Sequence, residues 1–447
     1  YKKMSDQNEH TPHQPDSHQK QNKPANKRPL HKLIGHHAKK AGSKFTKYLT
    51  ERDTIFATLW VFIFIVLLGS IPLNLGVLNP LKLGLKDFDF NDVYYSHVGN
   101  EQRNDIDQNI TVVNIGAADR AGIAMLVEKV ASYKPKVIGL DVLLDGERDP
   151  VQDSLMRDVV QKNKNLVLAV KYQEDSSGKL IGGHNFFKTD SSLFGYVNFP
   201  YNSETETIRY YYPFKKDAHN QHNVLPSFTS AILKLYDSNA YKRVEKMVDK
   251  KVTIVYSRRV TEKKKQYLVV EPETLMTDGV DTSALQGKIV LLAYATPFNP
   301  LDIEDKKFTP MNEKYAGKSI PDMNGIIVHA NIISMVMEDN FIKKVPFWGN
   351  LLLAILVCWL HMSFFIHYYL ESHIWFHLAA KIAQVLSAIF FIWLGIEIYT
   401  RYHVKVDMKL SLVTIALAVD VIYFYEAWAV WFHRKSGYKT VFKPHHH

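Results

Sequence analysis

Hydrophobic positions gather in one continuous run near the start of the chain and three near its end, with shorter runs spaced through a polar region of roughly 270 residues between them. The first long run, Thr54 to Leu73 (TIFATLWVFIFIVLLGSIPL), carries no charged residue. At about 1.5 Å per residue it is long enough to cross a hydrocarbon core of roughly 30 Å, so it predicts a transmembrane helix. The runs at Phe347 to Leu370, Phe376 to Thr400 and Met408 to Phe432 are of similar length and have Trp or Tyr near their ends as interfacial anchors. Four crossings put both tails on one side of the membrane.

The short runs predict an α/β domain. ITVVNIG (Ile110 to Gly116), KVIGLDVLL (Lys136 to Leu144), NLVLAVKY (Asn165 to Tyr172), KKVTIVYS (Lys250 to Ser257) and GKIVLLAYA (Gly287 to Ala295) read as strands. Arg120 to Tyr133, Asp153 to Lys162 and Ser227 to Asp237 read as helices. Near-continuous apolar strands separated by helices favour a mixed, largely parallel sheet with helices on its faces. No Pro/Gly/Ser-rich linker divides the region, so one domain with insertions is expected over residues 74–346, between a span at 54–73 and three spans within 347–432.

Charge orients this arrangement. The net charge is +10, but residues 1–53 hold twelve Lys and Arg against five Asp and Glu, and residues 433–447 add four basic groups and no acid. Everything between is close to neutral. Basic flanks stay in the cytoplasm, which places both tails inside and the large domain outside, in a periplasm or its equivalent. A basic excess confined to membrane flanks argues for lipid contact and against nucleic-acid binding. The first span lacks a small-x-small cleavage pattern and comes after a long basic segment, so it reads as an uncleaved anchor.

Residues 1–29 are too poor in aliphatic groups to offset ordering entropy and are expected to be disordered. From Leu30 to Leu49 apolar residues recur at three- and four-residue steps among lysines, which fits either a basic interfacial helix or a solvated linker. The final His-His-His and the Tyr-Lys-Lys ahead of Met4 look like additions to the native chain. The single cysteine, Cys358, lies inside the second span, so no intramolecular disulfide can form.

Three blocks, ITVVNIG with the helix after it and KPKVIGLDVLL, then LQGKIVLLAYATPFNPLDIEDKKFTP, then MNGIIVHANIISMVMEDNFIKKVP, resemble in order the type-2 CHASE domain. The resemblance implies a sensory domain outside the membrane of a bacterial signalling protein, with one span before the domain and usually three after it. The chain departs from the family where many members have an acidic strand end, since it has Asn114, and where most continue into a kinase, cyclase or phosphatase, since only about fifteen residues come after the last span.

Three residues are candidate ligand contacts. Asp141 ends a strand, where open α/β sheets bind ligands, or else caps the next turn. Asp302 lies in the loop that also holds Thr309 and Pro310, and His329 opens the helix leading to the second span. A His329 contact with Asp302 would tie that helix to the sheet. No local spacing supports a metal site built from Asp141, Asp302 and His329, and the acidic loop Asp145, Glu147, Asp149 lacks the pattern of a calcium loop. No metal or other cofactor is expected. Phosphate-loop, HExxH, GxSxG and kinase signatures are absent, so no enzyme is expected.

Within the spans lie His361, His367, Lys381, Gln384, Glu397, Asp420 and Glu426. Interhelical pairing explains them better than an ion path, because no broken-helix pattern accompanies them. Counting from the predicted span ends matches Lys381 in depth with Glu426 and leaves Asp420 deeper. The expectation is a multi-pass inner-membrane protein that senses a periplasmic ligand or envelope protein and relays its state to a membrane or cytoplasmic partner protein. The alternative is a structural subunit or scaffold of an envelope complex.

Overall fold

The computed structural model describes residues 47–70, 92, 94–95, 104–177, 179–189, 192–200, 207–220, 223–312, 320–371 and 373–442. The expected disorder of residues 1–29, most of the basic stretch after Leu30, the end of the first predicted span and both terminal additions fall outside these residues.

Helix α1 (Arg52–Ser70) precedes an α/β region. Its first half runs β1 (Ile110–Asn114), α2 (Arg120–Ser132), β2 (Val137–Leu140), α3 (Pro150–Lys162), β3 (Leu166–Glu174), β4 (Leu180–His184) and β5 (Leu193–Tyr196). Next come β6 (Tyr210–Tyr211), the pair β7 (Phe214–Lys216) and β8 (Val224–Pro226), then α4 (Phe228–Tyr236), α5 (Ser238–Val244) and β9 (Val252–Thr253). The region closes with β10 (Leu268–Val270), α6 (Pro272–Met276), β11 (Ile289–Ala293), β12 (Lys306–Lys307), β13 (Met323–Asn324), α7 (Gly325–Met337) and β14 (Lys343–Lys344).

The main sheet has the order β10, β1, β11, β2, β3, β5, with every neighbour parallel, and β4 turns back antiparallel along the outer half of β3. A parallel sheet needs cover on both faces, and the side chains alternate accordingly. Val112, Val137, Val167 and Leu291 face α4 and α7, while Val113, Ile138, Leu168 and Leu292 face α2 and α3. Helix α4 approaches closely because two sheet positions lack a side chain. A Cβ on Gly139 would lie 2.8 Å from Ile232 Cδ1, and one on Gly195 would lie 2.6 Å from the Phe228 backbone.

Helix starts obey capping chemistry. Asp119, Asp149, Ser227 and Asp237 each accept from backbone amides at the start of α2, α3, α4 and α5. With Asp149 as cap and Pro150 at the first position, α3 begins three residues before the periodicity at Asp153 suggested. The acidic loop is structural in this respect, and Arg120 also donates to the carbonyls of Asp145 and Gly146 while pairing with buried Asp153. The predicted strand Lys250 to Ser257 shrinks to Val252–Thr253. Beyond it the backbone is taken by side chains of α7, with Asn331 Oδ1 accepting from the amides of Ser257 and Arg258 at 3.0 Å each.

Three more long apolar helices complete the chain: α8 (Phe347–Glu371), α9 (His373–Tyr402) and α10 (Lys409–Ser436), the last preceded by β15 (Val404–Lys405). With α1, they give four helices long and apolar enough to cross a membrane. Ala57, Val61, Cys358, Phe365, Ala418 and Ile422 form the seam where α1, α8 and α10 meet. Helix α9 lies outside that seam with most of its surface uncovered.

The expected Lys381–Glu426 pair is not formed. Tyr369 on α8 donates to Glu426 Oε2 at 2.6 Å, whereas Lys381 and Asp420 are both exposed on the bundle surface. The depth count failed because α9 starts earlier and α10 ends later than the hydropathy suggested. His377 stacks on Tyr423, and Gln384 donates to the carbonyls of Ile415 and Ala416, a register that brings Lys381 level with Asp420. Glu397 pairs with Arg401 on its own helix.

The two ends of the bundle have different contacts. At one end the Asp53 carboxylate, 1% exposed, accepts from Tyr425, Tyr438 and Thr440 hydroxyls and the Val441 amide, which brings the start of α1 together with the segment after α10. At the other end the α/β region is fastened. There β14 pairs with β15, and Tyr399 of α9 meets Tyr95, hydroxyl to hydroxyl at 2.5 Å, with Tyr95 packed edge-on against Tyr256 of the domain core.

Candidate functional site

A cleft of about 560 Å³ opens over the carboxyl ends of β1, β2, β3, β5 and β11. This is where open α/β sheets place ligands, because the loops diverge there and leave backbone and side-chain polar groups uncovered. Asp141, directly after β2, supplies its floor, and His329, in the second turn of α7, supplies one wall. Helix α7 begins at Gly325, so His329 lies one turn inside it and not at its opening.

His329 is 4% exposed and held between two rings, stacked on Phe199 at 4.8 Å and edge-on to Phe228 at 5.5 Å. Its Nδ1 is enclosed and meets no hydrogen-bond partner among the described residues. Its Nε2 faces Asp141 Oδ2 across 3.8 Å, too far for a direct hydrogen bond. Nothing among the described residues donates to the Asp141 carboxyl group. Desolvation, aided by the charge of Asp305, pushes Asp141 up to about 7, and burial beside Lys307 pulls His329 down to about 3. At neutral pH the imidazole is therefore uncharged and the carboxyl group is near the middle of its titration.

Asp305, in the loop leading to β12, faces the same cleft. Its carboxylate packs against Gly325, where a Cβ would lie 3.0 Å from Oδ2, and Lys307 stands 3.6 Å from Oδ1. Lys171 lines the cleft from β3, and beside it the register shifts through an extra residue of β4, since Lys171 pairs with His184 and Tyr172 with Gly182. Next to it Asn198 exchanges hydrogen bonds with the Tyr172 amide and carbonyl at 3.1 and 2.9 Å. The apolar lining comes from Ile115, Val142, Leu143, Val197 and Phe199.

Of the residues singled out from sequence, the cleft joins Asp141 and His329 and leaves Asp302 aside. The expected Asp302–His329 contact is replaced: Tyr294 donates to Asp302 Oδ2 at 2.6 Å and the Glu304 amide to Oδ1 at 3.0 Å, so Asp302 shapes its own loop. That Tyr294 bond also holds the Asp302 carboxyl group below its ordinary range. The helix is still tied to the sheet through His329, with Asp141 as the facing group. Thr309 donates to Asp322 at 2.5 Å, a further loop anchor. Among the described residues, no group of three or more His, Cys, Asp or Glu side chains is placed to share a metal ion. Asn114 is occupied structurally, accepting from the amides of Gly116 and Ala295 and donating to Glu271.

Lys171, Asp305 and Lys307 carried no signal in the sequence that would single them out. Lys171 looks like any outward strand lysine, and Asp305 and Lys307 stand in a run of mixed charge that the family resemblance covers without marking either as a site residue. A second missed feature lies at the other end of α7. The Arg258 guanidinium, 4% exposed, meets Asp107 at 3.1 Å, Asp105 at 3.2 Å and Glu338 at 2.9 Å, joining the segment before β1 to the last turn of α7.

No curated protein and no solved structure matches the chain in comparison searches. A family model for the CHASE2 domain matches residues 96–364, more than half of the sequence and the stretch that carries the sheet, the cleft and α7. With four helices able to span a membrane around an extracytoplasmic type of sensory domain, the chain belongs to the CHASE2 domain family.

Proposed function

We propose that this protein is a membrane-anchored sensor whose cleft at Asp141 and His329 takes a small polar ligand outside the membrane, in a periplasm, and whose helices pass the bound state to a separate partner protein. The observation that carries the proposal is the path of α7. One helix brings His329 to the cleft wall, Asn331 to the 257–258 segment and Glu338 to Arg258, then enters β14 and α8 within ten residues of its end. When a packed helix with such continuity shifts, it carries the adjoining β14 and α8 with it. Cytoplasmic tails are supported by their basic charge and by the contact of Asp53 with the segment after α10.

Gentle detergent extraction with mass spectrometry of everything retained tests this reading. A sensor carries a small molecule that dialysis removes, and that the Asp141→Asn variant fails to retain. A preparation with a fixed stoichiometric protein partner and no exchangeable small molecule would favour an envelope scaffold instead.

A further inference from the structure

The cleft has a chemistry of its own. Its charged lining consists of two carboxyl groups, Asp141 and Asp305, and two ammonium groups, Lys171 and Lys307, so the signs cancel. Lys307 accompanies Asp305 at 3.6 Å, but the Lys171 ammonium and the Asp141 carboxyl group have no hydrogen-bond partner among the described residues. His329 adds a neutral ring whose Nε2 looks at Asp141 across a gap that a donor group with two polar hydrogens would bridge. The Asp141 carboxyl group, largely enclosed and without a hydrogen bond, costs free energy in an empty fold and recovers it on a ligand that supplies the missing donor.

Resting on the sensor reading above, we infer that the cleft recognises a small zwitterion with an apolar substituent, of the type of an aliphatic or aromatic α-amino acid. The ammonium of such a ligand donates to Asp141 and to His329 Nε2, with Asp305 behind it at the start of α7. Its carboxylate meets Lys171, which lines the cleft from β3. Its side chain lies on Ile115, Val142, Val197 and Phe199. A bare amine would leave Lys171 unpaired, and a bare carboxylic acid would leave Asp141 and the imidazole unpaired, so neither alone satisfies the lining. A ligand arriving as a full ammonium favours the ionised form of Asp141, so binding releases protons near neutral pH.

The test uses the full chain in detergent, dialysed, with calorimetric titration of L-leucine, L-valine, L-methionine and L-phenylalanine, and of 3-methylbutylamine, 4-methylpentanoate and glucose as controls. At least one amino acid should bind about tenfold or more tightly than the amine and the acid, and Asp141→Asn and Lys171→Met should each weaken it by about tenfold. Unliganded melting temperatures at or above the parent's show that the variants fold, and Lys171→Met, at an exposed position, is the safer of the two. Equal binding of the amine or acid alone, or no binding of any amino acid up to about 10 mM, overturns the inference. A different co-extracted compound lost in Asp141→Asn would leave the sensor reading standing while refuting the ligand class. A chain that retains nothing and titrates with nothing would end both.

Discussion

Arg258 and Asp141 show how single residues divide between holding the fold and leaving it incomplete. Arg258 is buried among three carboxylates, and its removal strands Asp107, itself buried and also bonded by Ser334 at 2.8 Å. Breaking a buried ion pair from one side typically costs about 3–5 kcal/mol, so Arg258→Ala should lower the thermal midpoint of the detergent-solubilised chain by several degrees or prevent its accumulation. An unchanged midpoint would mean that the network contributes nothing. For Asp141 the effect depends on pH. Its carboxyl group titrates at about 7 when folded against an ordinary 3.8, so the contribution of its protonated form is complete below 3.8 and disappears as pH rises through 7. Asn at that position does not titrate. The stability of Asp141→Asn should therefore gain on the parent between about pH 4 and pH 7, by up to about 4 kcal/mol, and remain level above it. A pH-independent difference between the two unfolding curves would contradict the desolvated environment. His329 acts in the opposite direction in both chains, since its depressed value contributes stability above 6.5 that is lost as pH falls toward 3, and the comparison between variants removes it.

At the scale of elements, the strands were legible because a parallel sheet covered on both faces demands near-continuous apolar runs, and ITVVN, VIGL and IVLLA have no other use. KKVTIVYS looks the same, yet only two of its residues pair, because Asn331 and Met335 on α7 receive the amides that a neighbouring strand would have taken. No local pattern announces a side chain some 75 residues away that replaces a ladder. The approach of α4 to the sheet was equally silent, since it depends on the absence of a side chain at Gly139 and Gly195. Adding a methyl group at Gly195 places it 2.6 Å from the Phe228 backbone, which cannot move without shifting α4. Gly195→Ala should cost about 1–3 kcal/mol, read as a lower unfolding midpoint, and the neighbouring cleft loop that carries Phe199 should become more susceptible to protease. A variant as stable as the parent would show that α4 does not sit where the sheet requires it.

At the scale of the whole molecule, the four apolar helices and the large polar region were plain in the hydropathy, and the family model covers the region between the first and second of them and most of the second. Hydropathy could not supply depth, since span ends blur over several residues and a helix pair sets its own register. For that reason Lys381 comes level with Asp420, and Glu426 finds Tyr369. Orientation rests on charge and is open to a direct check. A cysteine introduced at Asp175 should react with a membrane-impermeant maleimide in intact cells and one at Ser436 should not, with Cys358 buried in the bundle as the silent background. Labelling at Ser436 would reverse the orientation.

The central claim is that the state of the cleft reaches the membrane through α7. Hydrogen exchange on the full chain, compared before and after dialysis of its co-extracted small molecules, measures this most directly. The account predicts that the occupied chain is protected at residues 141–144 and 197–200, and that the protection continues through α7 and β14 into the first turns of α8. Protection confined to the cleft loops, with α7 and α8 exchanging alike in both preparations, would contradict it.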